Sequence, residues 1–176
     1  MIKYTDTGSD FIRASIGKAV FQLLEATDFD EIKVTDIYRI ACVGKTTYYR
    51  YFGNKNGKKD AMFFCLQEGY NNFKESNSAF TSTDECFGHF LWAIKDKILL
   101  LSKRNCLDVF DRLVLAIYGP TKDDDSIYVK YMGAGMWMGF VRALISDGFI
   151  DTQEAVGKKM QIAFLQMLQK ENRESK

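Results

Sequence analysis

The segment FDEIKVTDIYRIACVGKTTYYRYFGNK, Phe29 to Lys55, decides how this chain is read. From Val34 to Cys42, the positions of Ile37, Ile40 and Ala41 put three apolar side chains on one face of a short helix. Thr35 is its expected N-cap, and Asp36 complements the positive helix end. Val43-Gly44 makes a tight turn, and Lys45 to Phe52 forms a further short helix closed by Gly53-Asn54. Upstream, Ile12, Ile16, Ala19, Val20, Leu23 and Leu24 recur at helical spacing. They predict a longer helix from about Asp10 to Thr27, capped by Ser9. Two short helices joined by a glycine-containing turn, with a longer helix behind them, form a helix-turn-helix arrangement.

Projecting Lys45–Phe52 at helical periodicity separates its faces. Tyr48 and Phe52 fall together and point to a small core. Thr46, Thr47 and Arg50 take the opposite face, where hydroxyls and a guanidinium reach base edges. Tyr49 and Tyr51 lie on the flanks, where their hydroxyls meet the phosphate walls of a major groove. Charge agrees with this reading. Lys33, Arg39, Lys45, Arg50, Lys55, Lys58 and Lys59 are seven bases against the single acid Asp36, a local +6 in a chain of net charge +1. A solvated basic helix face would explain the charge alone. It would not explain tyrosines set beside threonines among those cations.

The segment resembles the DNA-binding motif of the TetR family of bacterial transcription regulators. The likeness runs from about Ile12 to Lys55. It rests on Thr35 at the start of the second helix, the Ala41-Cys42-Val43 turn, the Thr47-Tyr48-Tyr49-Arg50-Tyr51-Phe52 helix, and then Asn54-Lys55. The resemblance implies recognition contacts from Thr47, Tyr49 and Tyr51, with Tyr48 supporting the core. It also implies phosphate contacts from Thr35 and from Lys55 at the start of a fourth helix. Arg39, Lys45, Thr46 and Arg50 complete the candidate DNA-binding set. The sequence departs from the family pattern at Gly44, where Ser is usual, and at Asn56-Gly57-Lys58-Lys59, where an acid and Leu usually follow. The fourth helix is therefore expected to begin late, toward Asp60, leaving Lys58 and Lys59 to serve phosphates.

The rest of the chain reads as helices with short breaks: Ala61–Ser76, Asp84–Ser102, Cys106–Tyr118, Ser126–Ser146 and Thr152–Asn172. The expected fold is all-α, with about eight or nine helices. The helix-turn-helix head occupies 1–59, and a helical ligand-binding and dimerisation body occupies 60–176. The stretch YVKYMGAGMWMGFVRALISDGFIDTQEAVGKKM is similar to the late helices of many TetR-type regulators. In those proteins such helices pair with a second subunit as a four-helix bundle, which implies an interface through Met136, Trp137, Phe140, Phe164, Leu165 and Leu168. The resemblance also implies an effector pocket beside the fourth helix. Its candidate lining residues are Phe64, Tyr70, Phe87, Phe90, Trp92, Tyr118 and Met132, each of which serves equally as plain core.

Composition narrows the classes. At 176 residues with 47% hydrophobic, 27% charged and 14% aromatic residues and a single Pro, the chain is neither disordered nor fibrous, and turn-rich β folds are disfavoured. No apolar run approaches the ~20 residues that span a bilayer, and the first residues lack the order of a signal peptide. Cytoplasmic placement is the expectation. Cys42, Cys65, Cys86 and Cys106 are scattered without C-x-x-C or paired His, so four reduced thiols are expected rather than a metal site or disulfides. The lone His89 is expected to be a hydrogen-bonded core residue. No nucleophile stands beside a base, so neither enzyme chemistry nor a cofactor is expected. The leading reading is a homodimeric, sequence-specific double-stranded DNA-binding repressor, released by a small apolar ligand. The alternative is a TetR-fold co-regulator that works through a protein partner with weak or no DNA binding.

Overall fold

The computed structural model describes residues 7–121, 126–159 and 162, and every regular element among them is helical. In chain order these are α1 (Thr7–Ala26), a 3-10 turn (Phe29–Glu31), α2 (Val34–Ile40), α3 (Lys45–Phe52) and α4 (Gly57–Ser76). Then come α5 (Thr83–Ala93), α6 (Lys95–Lys103), α7 (Asp108–Tyr118) and α8 (Ile127–Ser146), and the chain is helical again over 153–159.

The apolar stripe expected of α1 is buried: Ile16, Val20 and Leu24 are sealed from solvent. That stripe lies along α4, which packs in turn on α7, and α7 on α8. The two short helices sit over the start of this stack, α2 against α1 and α3 against α4. One continuous apolar cluster runs from Ile16 and Leu24 through Ile37, Tyr48 and Phe52 to Phe87, Phe110 and Val141. Head and body therefore share a core.

The start of α4 corrects the sequence reading. The helix begins at Gly57 rather than toward Asp60. Its first residue lies so near the end of α3 that a Cβ there would stand 1.9 Å from the Phe52 carbonyl oxygen. Only glycine permits that approach, which accounts for Gly57 at this position. The Asn54 side chain secures the turn. Its carbonyl oxygen accepts from the Asn56 amide at 2.8 Å, and its amide donates to Asp60 at 2.9 Å.

Other boundaries move as well. α1 is already helical at Thr7, so Ser9 lies within the helix and is not its cap. Lys33, not Thr35, is the N-cap of α2, without a side-chain bond, and Thr35 belongs to the first turn. The expected helix Asp84–Ser102 is broken at Ile94 into α5 and α6. The expected final helix to Asn172 lies largely outside the described residues, as do Phe164, Leu165 and Leu168. His89 is exposed rather than buried, and its ring stacks on Phe80 at 4.8 Å.

Hydrophilic ties join the head and the start of α4 to the body. At the α6–α7 turn, Arg104 donates to the carbonyls of Leu24 and Glu25 at 3.0 Å each and pairs with Asp28. It thus caps the otherwise unsatisfied C-terminal end of α1. Lys59 pairs with Asp108 at 2.8 Å, and Asp60 with Arg112 at 2.9 Å. No helix among the described residues is long and apolar enough to cross a membrane.

Candidate nucleic-acid interface

α3 runs over the residues that the sequence assigned to it, Lys45 to Phe52. Tyr48 and Phe52 are buried and anchor the helix, with ring centroids 6.4 Å apart. Burial pushes the Tyr48 phenol up, with neighbouring Tyr49 adding to the rise, so the anchor stays neutral. The buried Tyr48 ring meets that of Tyr49 edge-on at 5.4 Å, which steadies a side chain half open to solvent. Thr46, Tyr49 and Arg50 are exposed, and Thr47 and Tyr51 are half-buried at the edges of the same surface. The outer face of α3 thus carries the hydroxyls and the guanidinium named from the sequence.

The turn that aims α3 is built differently from the expectation. Its left-handed residue is Cys42, at φ 54°, while Gly44 is extended at φ −72° and ψ 152°. The Val43 amide reaches back to the Tyr38 carbonyl at 3.0 Å, as in a Schellman-type helix end. Of the four cysteines, Cys42 alone is exposed; Cys65, Cys86 and Cys106 are buried, and all four are free thiols.

The positive charge divides into two groups. Lys33, Lys45, Arg50 and Lys55 are exposed and make no ion pair with a described residue. Arg39 bonds Asp36 at 3.0 Å, yet its side chain stays 75% exposed and available. Lys58 and Lys59 are used internally, against the expectation that they serve phosphates. The Lys58 ammonium donates to the carbonyls of Phe29 at 2.7 Å and Ile32 at 3.2 Å, and its half-buried position lowers its pKa. Lys59 is held by Asp108. The free cations surround α3, while the internal ones bind α4 to its neighbours. Sequence could not separate these groups, because the partners of Lys58 and Lys59 lie 26 to 49 residues away.

In the body, four of the seven pocket candidates come together. The Tyr70 ring lies 5.8 Å from Phe87 and 5.3 Å from Phe90, and Phe87 lies 5.4 Å from Tyr118. The other three lie apart: Phe64 sits beneath the Arg13 guanidinium at 3.8 Å, Trp92 packs on Phe149, and Met132 is exposed. Trp137 and Phe140, named from the sequence for the subunit interface, join the same cluster. Trp137 is 5.0 Å from Phe87, 5.7 Å from Tyr118 and 5.8 Å from Phe140. Beside them opens a groove of about 610 Å³, whose walls include Tyr118, Met136, Trp137 and Phe140, with Asp84 as its acid.

The hydroxyls of Tyr70 and Tyr118 are buried, the first beside Cys86 and the second beside Asp84. Burial raises the Tyr70 phenol to about 12, with Cys86 adding to the rise. Burial also raises the Tyr118 phenol, with the Asp84 carboxylate contributing next. Among the described residues no cluster of His, Cys, Asp or Glu is arranged to hold a metal ion. No protein-family model, no curated protein and no solved structure matches this chain.

Proposed function

We propose that this protein is a homodimeric regulator that binds double-stranded DNA by inserting α3 into the major groove. The observation that carries the reading is the outer face of α3. Thr46, Tyr49 and Arg50 are exposed on a helix whose inner face is pinned by Tyr48 and Phe52, and unpaired cations surround it. Thr47 and the guanidinium of Arg50 address base edges. Tyr49, Tyr51, Lys45 and Lys55 address phosphates, with Lys33, Thr35 and Arg39 extending the contact along α2. The likeness of this segment to the TetR motif supports the same roles.

One such helix covers too few base pairs to specify a genomic address, and a two-fold pair reading half-sites ~34 Å apart meets that need. The exposed apolar residues of α8, among them Tyr128, Met132 and Met136, favour pairing through this helix. Repression relieved by a small ligand held in the body completes the proposal. Duplex binding at low salt tests the core of it, followed by selection of bound fragments from the source genome. Retention of a random duplex that weakens steeply with salt, and then enrichment of a two-fold sequence, are the expected results. Absence of duplex binding at low salt would favour a co-regulator that works through a protein partner.

A further inference from the structure

We propose that the groove between α5, α7 and α8 is a binding site for an aromatic organic cation, with Asp84 as its counter-ion. The inference takes from the regulator reading only that the body holds a ligand.

Two features of the groove converge on this class of molecule. Its walls are π faces and a thioether: Tyr118 stacked with Trp137, Phe140 edge-on to Trp137, and Met136 exposed beside them. Such surfaces attract a cation through the ring quadrupole, and most strongly at tryptophan. Its single charge is negative. Asp84 makes no ion pair with a described residue and accepts from the Trp137 indole N–H at 3.3 Å, while no Lys or Arg is among the described residues that line the groove. Asp84 is therefore tied to the best cation-binding ring and still has acceptor capacity to spare.

The Tyr118 hydroxyl is buried beside the Asp84 carboxylate, on the same side of the groove. At about 610 Å³ the groove falls within the usual range for small-molecule sites. The proposal differs from the apolar ligand expected from the sequence: the walls are apolar, but the lone carboxylate favours a cationic ligand.

The floor of the groove supplies a clean way to close it. Gly133 and Gly139 face open space, with no atom within 4 Å of a Cβ built on either. Gly139→Leu should thus fill part of the groove, its Cβ entering open space, with better helix propensity than glycine.

The test uses tetraphenylphosphonium and tetraphenylborate, ions of one shape and opposite charge, added to the full chain without DNA. Fluorescence of Trp137 in a Trp92→Phe background reports occupancy, and thermal melts confirm that each variant is folded. The phosphonium ion should bind and the borate should not. Asp84→Asn should weaken the phosphonium about tenfold or more, and Gly139→Leu should abolish its binding. Equal binding of both ions, no binding of either at millimolar concentration, or unchanged affinity in Asp84→Asn would overturn the proposal. So would a shift of the Gly139→Leu variant from dimer to monomer with no phosphonium bound to the parent protein. That outcome would assign the groove to a second copy of the chain. Because DNA is absent, failure here leaves the nucleic-acid reading to its own test.

Discussion

Gly17 faces the Ala61 carbonyl across the α1–α4 crossing so closely that a Cβ on residue 17 would stand 2.3 Å from that oxygen. The same Cβ would lie 2.5 Å from the Cβ of Cys65, so neither neighbour can yield by rotating a flexible side chain. Gly17→Ala must push the two helices apart, and overpacking of this kind costs about 1–3 kcal/mol. Urea unfolding should show a lower midpoint with an unchanged slope. Gly135→Ala on α8, where a Cβ meets nothing within 4 Å, should cost nothing measurable.

Lysines close together in sequence should behave differently on DNA. Lys55→Ala, at an exposed and unpaired cation, should lower the salt slope of duplex binding by ~1 while leaving stability intact. Lys58→Met should leave the slope alone. It should cost about 1–2 kcal/mol of stability, because the carbonyls of Phe29 and Ile32 lose a charged donor. Equal slopes for Lys55→Ala and the parent would remove Lys55 from the interface.

The turn before α3 holds a non-glycine residue in the left-handed region. Cys42→Gly should raise stability by about 0.5–1 kcal/mol, since the left-handed strain at φ 54° exceeds glycine's entropic cost. Gly44→Ala should change stability by less than about 0.5 kcal/mol, because the backbone there is ordinary and the nearest atom, Thr47 Oγ1, lies 3.9 Å from the added Cβ. Denaturant midpoints of the two variants check both statements.

Alkaline pH should act through the buried phenols. The Tyr70 phenol is raised from 10.0 to about 12 in the folded chain, so the unfolded chain loses that proton first. The associated stability is fully present below pH 10.0 and declines as pH rises through about 12. Tyr70→Phe should flatten that decline. Because the hydroxyl's neighbour is the Cys86 thiol, a weak hydrogen-bond partner, the substitution should cost little at pH 7. Melting temperatures between pH 7 and 11 give the comparison.

Subunit pairing is best tested on side chains that the chain leaves uncovered. Met136→Glu and Met132→Glu alter residues 59% and 66% exposed, so the protomer should keep its fold while the dimer dissociates. Trp137→Glu would not discriminate, because that ring packs on Phe87 in the shared core. Sedimentation of the parent as a monomer at tens of micromolar, on the order of ordinary assay concentrations, would sink the pairing proposal.

The parts of the molecule legible in the sequence were those fixed by local chemistry. Gly44 and Gly53 bracket α3, and a four-residue step puts Tyr48 and Phe52 on one face, so both boundaries and buried face could be read directly. The break at Ile94 could not. No Gly or Pro marks it, and it arises because α5 packs on α4 while α6 packs on α1, α7 and α8. The fate of Lys58 and the joining of Tyr118 with Trp137 likewise depend on contacts between distant segments. His89 misled for a different reason: apolar neighbours in sequence suggested burial, but its helical position leaves it facing solvent against Phe80.

The place where α1 meets α4 sets the gearing of the molecule. Gly17 touches α4 at Ala61, about 6 Å along the helix from Gly57 and about 22 Å from Ser76 at a rise of 1.5 Å per residue. A tilt of α4 about that fulcrum is therefore reduced roughly fourfold between the Ser76 end and the end that carries α3. The Arg104 clasp bypasses the long arm. It grips the carbonyls of Leu24 and Glu25, at the end of α1 from which the 3-10 turn leads to α2. The clasp therefore joins the α6–α7 corner to the end of α1 directly, without passing through α4.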